Sequence, residues 1–279
     1  MKVLITGTQG QLGLELIKQL GEYNGYAVTA ADRRALDITD MGAVNDFLNK
    51  GGYHIVINCA AYTAVDKCES DQEEAYKVNA LGPKHLAIAC DALGAKLIHI
   101  STDYVFNGED SRPRREDDGV APGNIYGKSK LLGEEYVKAF CKRYFIIRTA
   151  WLYGEGNNFV KTMLTLAKKN TKLQVVGDQF GSPTWTRDLA RVVINLMATE
   201  YYGIYHGTGE GECSWYDFAC KIFQLKGIEI EVEKVTSEAF KTVAKRPKYS
   251  VLDNFNLKLY GLNSFRNWEE ALEEYLKVY

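Results

Sequence analysis

One tyrosine in this chain is placed to exchange a proton. Tyr126 stands four residues before Lys130 in Tyr126-Gly127-Lys128-Ser129-Lys130. At that spacing the two share a helix face. A free phenol, with a pKa of about 10, is a poor acid–base at neutral pH. A neighbouring ammonium and a helix N-terminus both stabilise the phenolate, so a lowered pKa is expected. Such a tyrosine can give its proton to a carbonyl oxygen while hydride reaches the carbon. Thr102, at the end of a strand-like run, can hydrogen-bond the same oxygen. The pattern occurs once among eighteen tyrosines, about as often as chance supplies it. An ordinary exposed helix start is the plain alternative, and the motif gains weight only from what surrounds it.

That company begins at the N-terminus. Val3-Leu4-Ile5-Thr6 runs into Gly7-Thr8-Gln9-Gly10-Gln11-Leu12-Gly13. A strand that enters a glycine turn and then a helix aims bare N–H groups and the helix's partial positive charge at one spot, which suits a pyrophosphate. Gly7, Gly10 and Gly13 therefore read as a dinucleotide cradle. The next strand, Ala27 to Ala31, ends on Asp32, nineteen residues after Gly13. An acid at about that distance bonds the adenosine ribose hydroxyls and favours NAD. Arg33 and Arg34 leave NADP open, since either can receive a 2′-phosphate.

Around these residues the elements alternate. Strand-like runs occur at Lys2–Ile5, Ala27–Ala31, His54–Asn58, Lys96–Ile100, Tyr144–Arg148, Leu173–Val176 and Gly203–His206. Leu12, Leu16, Ile17 and Leu20 share one helix face. Met41, Val44, Phe47 and Leu48 share another, and Leu131, Leu132, Tyr136, Ala139 and Phe140 a third. The fold class expected is α/β, a Rossmann-like doubly wound parallel sheet with a smaller C-terminal substrate-binding lobe. Residues 1–150 form the dinucleotide-binding domain, completed by parts of 173–206, and residues 151–279 form mainly the lobe. Ligands in such sheets lie at the carboxyl ends of strands.

Composition narrows the function. The formal net charge of −2 over 279 residues gives no basic face for nucleic acid. No apolar run reaches a membrane span, and no charged-then-apolar leader is visible. Arg112 to Asp118 reads as a solvated loop. The six cysteines form no C-x-x-C pair and read as reduced thiols, so a cytoplasmic location is expected. His54, His85, His99 and His206 are scattered and read as structural, and no metal site is expected.

Together these motifs resemble the extended short-chain dehydrogenases/reductases, whose glycine spacing is Gly-x-x-Gly-x-x-Gly. Within them the chain is similar to the dTDP-4-dehydrorhamnose reductases. The resemblance rests on Leu36-Asp37-Ile38-Thr39, Asn58-Cys59-Ala60-Ala61-Tyr62-Thr63-Ala64-Val65-Asp66, Ser101-Thr102-Asp103-Tyr104-Val105-Phe106, Arg148-Thr149-Ala150-Trp151 and Gly156-Asn157-Asn158-Phe159, besides the glycine turn and Tyr126-x-x-x-Lys130. It implies that Gly10, Gln11 and Leu12 cradle the pyrophosphate of NADH or NADPH. Asp32, Asp37 and Ile38 would hold the adenosine end, and Ala61, Tyr62 and Thr63 would line the dinucleotide further on. Tyr126 would be the proton donor, Lys130 would bind the nicotinamide ribose, and Thr102 would orient the ketone. Thr63, Val65, Asp103, Tyr104 and Trp151 would contact the deoxysugar. The implied reaction takes the C4 ketone of dTDP-4-dehydro-L-rhamnose to dTDP-L-rhamnose for cell-surface polysaccharides, and a homodimer is implied.

Two departures stand out. Arg246, Pro247, Ser250 and Leu252 fit a C-terminal family segment, but Asn256 stands where a lysine is expected, so a nucleotide contact would differ. Some members bind Mg²⁺ through acids at an interface. Glu15 could match one of these but reads better as a solvated helix residue. Two other readings remain: a non-catalytic binding member resembling the regulatory subunit of methionine adenosyltransferase, and an epimerase or dehydratase that keeps its cofactor oxidised.

Overall fold

The computed structural model describes residues Met1–Tyr279. Six parallel strands form the central sheet: β1 (Lys2–Thr6), β2 (Ala27–Ala31), β3 (Ile55–Asn58), β4 (Lys96–Thr102), β5 (Tyr144–Thr149) and an edge strand, Gly203–His206. Their spatial order is Gly203–His206, β5, β4, β3, β1, β2. Side chains alternate across a strand, and here the alternation feeds two apolar layers. Val3, Ile5, Ile55, Ile57, Ile98, Phe145 and Ile147 pack on one face with Leu12, Leu16 and Leu20. Leu4, Val56, Leu97 and Ile146 pack on the other with Val44, Leu48 and Leu86. Burial on both faces is why these strands read as continuous apolar runs. The order reverses at β1, so the crevice above β1 and β3 is the switch point where ligands bind in such sheets.

The rest of the chain divides between sheet and lobe. Helix Thr186–Met197 packs on the first face through Leu189, Val192, Val193 and Leu196. Lys172–Val176 does not join the sheet, although the strand pattern there suggested it could. It pairs instead with Glu231–Val235 as an isolated parallel pair, because the edge position beside β5 is filled by Gly203–His206. The lobe's own core is largely aromatic: Tyr153, Trp185, Phe218, Phe223, Trp268 and Tyr275. Helices Phe159–Ala167, Trp215–Lys226 and Trp268–Val278 surround it. No helix is long and apolar enough to cross a membrane.

Three local expectations are corrected. Helix Ile125–Phe140 buries Gly127, Ser129, Lys130, Gly133, Glu134 and Val137; of the expected apolar face Leu131 packs against Val105, Phe106 and Leu252, Leu132 and Tyr136 are half-buried, and Ala139 and Phe140 are exposed. Gly133 lets it approach: a Cβ there would lie 2.2 Å from the Asn79 carbonyl oxygen. Glu15 is buried rather than solvated, with Gln19 donating to it at 2.8 Å. The loop Arg112 to Asp118 is solvated only in part. Arg112 pairs with Asp118 at the surface, but Glu116 is buried and accepts the His206 N–H at 2.8 Å.

Candidate active site

The glycine turn is shaped by backbone, not side chains. Gly7 has φ +69°, and a Cβ on it would lie 2.5 Å from the Ala60 nitrogen. A Cβ on Gly13 would lie 2.6 Å from the Gly7 carbonyl oxygen. Glycine at position 7 thus lets the turn pass close to the segment after β3, and glycine at position 13 lets the helix pack on the turn itself. The helix Gln11–Gly21 starts at Gly10, which supplies no side-chain cap, so its first N–H groups stay free for an anion. The Gln11 Oε1 is also buried without a partner. A diphosphate accepts from the free N–H groups, so the residues present fit a dinucleotide; the Gln11 oxygen, itself an acceptor, calls for a donor such as a hydroxyl.

From this turn the crevice runs two ways. Toward β2 lies a groove of about 310 Å³, lined by Gly7, Asp32, Asp37, Ile38, Ala61 and Tyr62 among others. The Asp32 carboxylate is already engaged. It accepts the Ala35 and Arg34 N–H groups at 3.0 Å each and the Gln9 amide at 2.8 Å, contacts that hold its pKa below the usual value. Arg33 lies beside it, paired with Asp37 and Glu74. Toward β4 and β5 lies a cavity of about 520 Å³. Gly10, Gln11, Leu12, Gly13, Thr63, Val65, Thr102, Asp103, Tyr104, Tyr126, Lys130 and Trp151 all line it.

The helix bearing Tyr126 and Lys130 is fixed at its start by Asn124, whose side chain accepts the Gly127 N–H at 2.8 Å. Lys130 is 2% exposed and donates to the Ile100 carbonyl at 2.6 Å. Burial lowers its pKa to about 8, against the opposing charge of Glu134. Tyr126 stands edge-on to Tyr104, ring centres 5.5 Å apart. Burial pushes its pKa up, and a hydrogen bond with Thr102 opposes that. The expected lowering is thus reversed: desolvation of a phenolate outweighs the nearby donors. A phenol that must give a proton away is well served by holding it. Thr102 donates to Asp103 Oδ1 at 2.8 Å, and burial raises the Asp103 pKa to about 6.

Trp151 is the one non-glycine residue with positive φ, at 47°. Its ring lies against Gly181, where a Cβ would come within 2.4 Å, and stacks on Trp215 at 3.4 Å with 7° between planes. One ring face is therefore already covered.

Several residues escaped the sequence reading. Gln9 borders both hollows. Asn79, in a π-helical turn (Lys77–Leu81), accepts the Tyr62 N–H and donates to the Ser129 hydroxyl. A third hollow, of about 970 Å³, is lined by Asp178, Phe240, Lys241, Lys245, Arg246 and Tyr249 among others. Arg246 links it to the crevice through Asp66, at 3.1 Å, and its Nε is buried without a partner. The Arg246-Pro247 and Asp178-Gln179 patterns, both like the family's, were the signals for it. Asn256 does not line this hollow. It donates to the Ile204 carbonyl at 2.8 Å, so the substitution there alters a sheet-edge contact.

The family of the RmlD substrate binding domain matches residues 1–279. The spore coat polysaccharide biosynthesis protein SpsK of Bacillus subtilis is 47% identical, over 99% of this chain and 97% of that one. A dTDP-4-dehydrorhamnose reductase structure from Clostridium acetobutylicum superposes with TM-score 0.98 at 53% identity, covering 100% of this chain and 99% of that one. Another, from Bacillus anthracis in complex with NADP, superposes with TM-score 0.96 at 43% identity, covering 100% and 99%. The glycine cradle and the Tyr126–Lys130 helix thus sit in a full-length match, and the chain belongs to the RmlD substrate binding domain family, within the extended short-chain dehydrogenases/reductases.

Proposed function

We propose that this protein is a reductase that converts the C4 ketone of dTDP-4-dehydro-L-rhamnose to the alcohol of dTDP-L-rhamnose, with NADPH or NADH, for cell-surface polysaccharide. The observation that carries it is the meeting of Thr102, Tyr126 and Lys130 in one cavity with the glycine turn. Gly7, Gly10, Gln11, Leu12 and Gly13 would hold the pyrophosphate. Asp32, Asp37 and Ile38 would hold the adenosine end, and Ala61, Tyr62 and Thr63 the length between. Reduced nicotinamide, when bound, supplies a hydride to the carbonyl carbon. Tyr126 gives its phenolic proton to the carbonyl oxygen, and the Lys130 ammonium then stabilises the phenolate. Thr102 aligns that oxygen. Thr63, Val65, Asp103, Tyr104 and Trp151 would face the deoxysugar, with the indole of Trp151 beside its apolar side. The large hollow mixes Lys241, Lys245, Arg246 and Lys248 with acids such as Asp178 and Glu212, and Arg246, whose Nε has no partner, would be its contact for the nucleoside diphosphate. Residues 1–150 with the returning strand then act as the cofactor domain, and 151–279 mainly as the substrate lobe.

The same reading includes a homodimer: the half-buried Leu132 and Tyr136 and the exposed Phe140 leave an apolar strip that a second copy would cover. A monomer mass in solution overturns that part. Six free cysteines fit a cytoplasmic setting.

The test is loss of reduced-nicotinamide absorbance with dTDP-4-dehydro-L-rhamnose, run with each cofactor and repeated with Tyr126→Phe. Turnover that drops by about 10²–10⁴ in the variant is expected. No turnover from folded, cofactor-binding protein sinks the substrate assignment. Cofactor that stays bound and oxidised through purification favours the epimerase or dehydratase reading.

A further inference from the structure

The inner face of the catalytic helix carries a third charged residue that the reaction as written does not use. Tyr126, Lys130 and Glu134 follow one another at i, i+4 and i+8. Glu134 is fully buried, and a buried carboxylate is kept only with strong partners. It has three. The Ser101 hydroxyl donates to Oε1 at 2.5 Å. Arg148 Nε donates to Oε1 at 3.0 Å, and Arg148 Nη2 donates to Oε2 at 2.8 Å. Arg148 is itself buried and reaches the His206 ring at 3.5 Å. The His206 Nδ1–H donates to the Arg114 and Asp253 carbonyls at 2.9 and 3.1 Å. The carboxylate is thus gripped by the two strands whose ends form the cavity floor, β4 through Ser101 and β5 through Arg148.

An uncharged core would pack a helix on a sheet as well or better, since a buried ion pair contributes little net stability. A reason for the charge lies one turn away. Lys130 is buried and loses its hydration there, and an opposite charge on the next turn offsets that loss. We propose that Glu134 is a positioning residue for proton transfer: its carboxylate, fixed by Ser101 and Arg148 one helical turn from Lys130, keeps Lys130 an ammonium aimed at Ile100 and the site. The proposal rests on the reading of Lys130 as the group that binds cofactor and steadies Tyr126.

Other groups facing Lys130 are few. Cys59 at the end of β3 has its thiol pushed up to about 12 by burial, against the Lys130 charge. His99 on β4 is held neutral by burial and by that same ammonium. On its own helix Lys130 has Tyr126. Elsewhere on the helix, Glu69 accepts the Ile125 N–H at the start, and Lys84 lies over the outward Tyr136 ring. Asp103, Tyr104 and Cys68 bear on Tyr126.

The experiment compares wild type, Glu134→Gln and the charge-keeping Glu134→Asp across pH 6–10. Two profiles are read: NADPH affinity by fluorescence, which needs no sugar substrate, and kcat with dTDP-4-dehydro-L-rhamnose. In wild type the alkaline limb falls near the Lys130 value of about 8. Glu134→Gln moves that limb down by about one pH unit, a tenfold change in the Lys130 proton equilibrium, and Glu134→Asp returns it toward the wild-type position. A limb that stays put in Glu134→Gln, or falls equally in both variants, overturns the proposal and leaves Glu134 a packing residue. If Glu134→Gln does not fold, Glu134→Gln/Arg148→Met, which removes the pair together, lowers the limb in its place, and an unmoved limb there is equally fatal. A wild type that binds NADPH with a limb near 8 but reduces no sugar refutes the substrate reading and leaves this one standing.

Discussion

The dinucleotide crevice and the large lobe hollow differ in what they are made of. The crevice is backbone: Gly7, Gly10 and Gly13 on one side and Ala60 and Ala61 on the other, with N–H groups facing inward. Its shape is set by φ angles and by the sheet behind it. The hollow is made of side-chain tips, Lys241, Lys245, Arg246 and Tyr249 against Asp178 and Glu212, carried on long connections. A backbone site tolerates almost no added atom. A side-chain site loses its ligand one contact at a time. That difference predicts how each will fail.

The largest effect is expected at the turn. Gly7→Ala forces a Cβ-bearing residue to φ +69° and drives it onto Ala60. Strain of that kind costs about 1–3 kcal/mol, with about as much again for the overlap. Cofactor affinity should fall by roughly 100-fold or more, with a lower denaturation midpoint. Unchanged NADPH titration in Gly7→Ala would show that the turn is not a rigid cradle. In the hollow, Arg246→Ala should raise KM for the nucleotide sugar by about 10–100-fold, the worth of one charge-assisted contact, and leave NADPH affinity alone. A loss of cofactor affinity there would erase the distinction between the two regions.

The edge of the sheet answers to acid. Burial holds the His206 pKa near 3, far below the ordinary 6.5. Between those values only the unfolded chain takes up the proton. Stability therefore falls as pH drops from 6.5 toward 3, by up to about 1.4 kcal/mol per pH unit. Asp103 works the other way: its folded pKa is raised to about 6, so acid favours the folded form from there down to its ordinary 3.8. His206→Gln should flatten the fall in Tm between pH 7 and pH 4, and an equal slope would remove His206 from the account. The smallest effect concerns the adenosine end. Arg33 is exposed and shared with Asp37 and Glu74, so Arg33→Ala should lower the NADPH-to-NADH preference only a few-fold, and less at high salt.

The same contrast decides what could be read without coordinates. The crevice is built from short segments at consecutive strand ends, each with its own local signature: glycines after β1, an acid after β2, small residues after β3, Ser101-Thr102 after β4. The hollow is assembled from residues 107–111, 178–180, 212 and 237–249, which read as loop and, apart from Asp178-Gln179 and Arg246-Pro247, carry no local signature. The helix from Ile125 to Phe140 misled for a different reason. An amphipathic pattern is read by turning its apolar side inward, whereas here the inward side faces the cavity and is polar. Local rules fail where a site overrides them, and Lys130 and Glu134 are where this one does. Leu173–Val176 was legible as a strand, but its partner, Glu231–Val235, lies 59 positions on in register, too far for any local signal to name.

The stacked pair Trp151 and Trp215 has an optical consequence. Indole rings 3.4 Å apart and 7° from parallel share their electronic excitations, so the near-ultraviolet circular dichroism of the protein should carry a signature from this pair alone among its four tryptophans. Trp151 belongs to the wall of the crevice and Trp215 to the helix that opens at Ser214 in the lobe. The amplitude of that band would report, without any label, whether sheet and lobe hold the same spacing as ligands come and go.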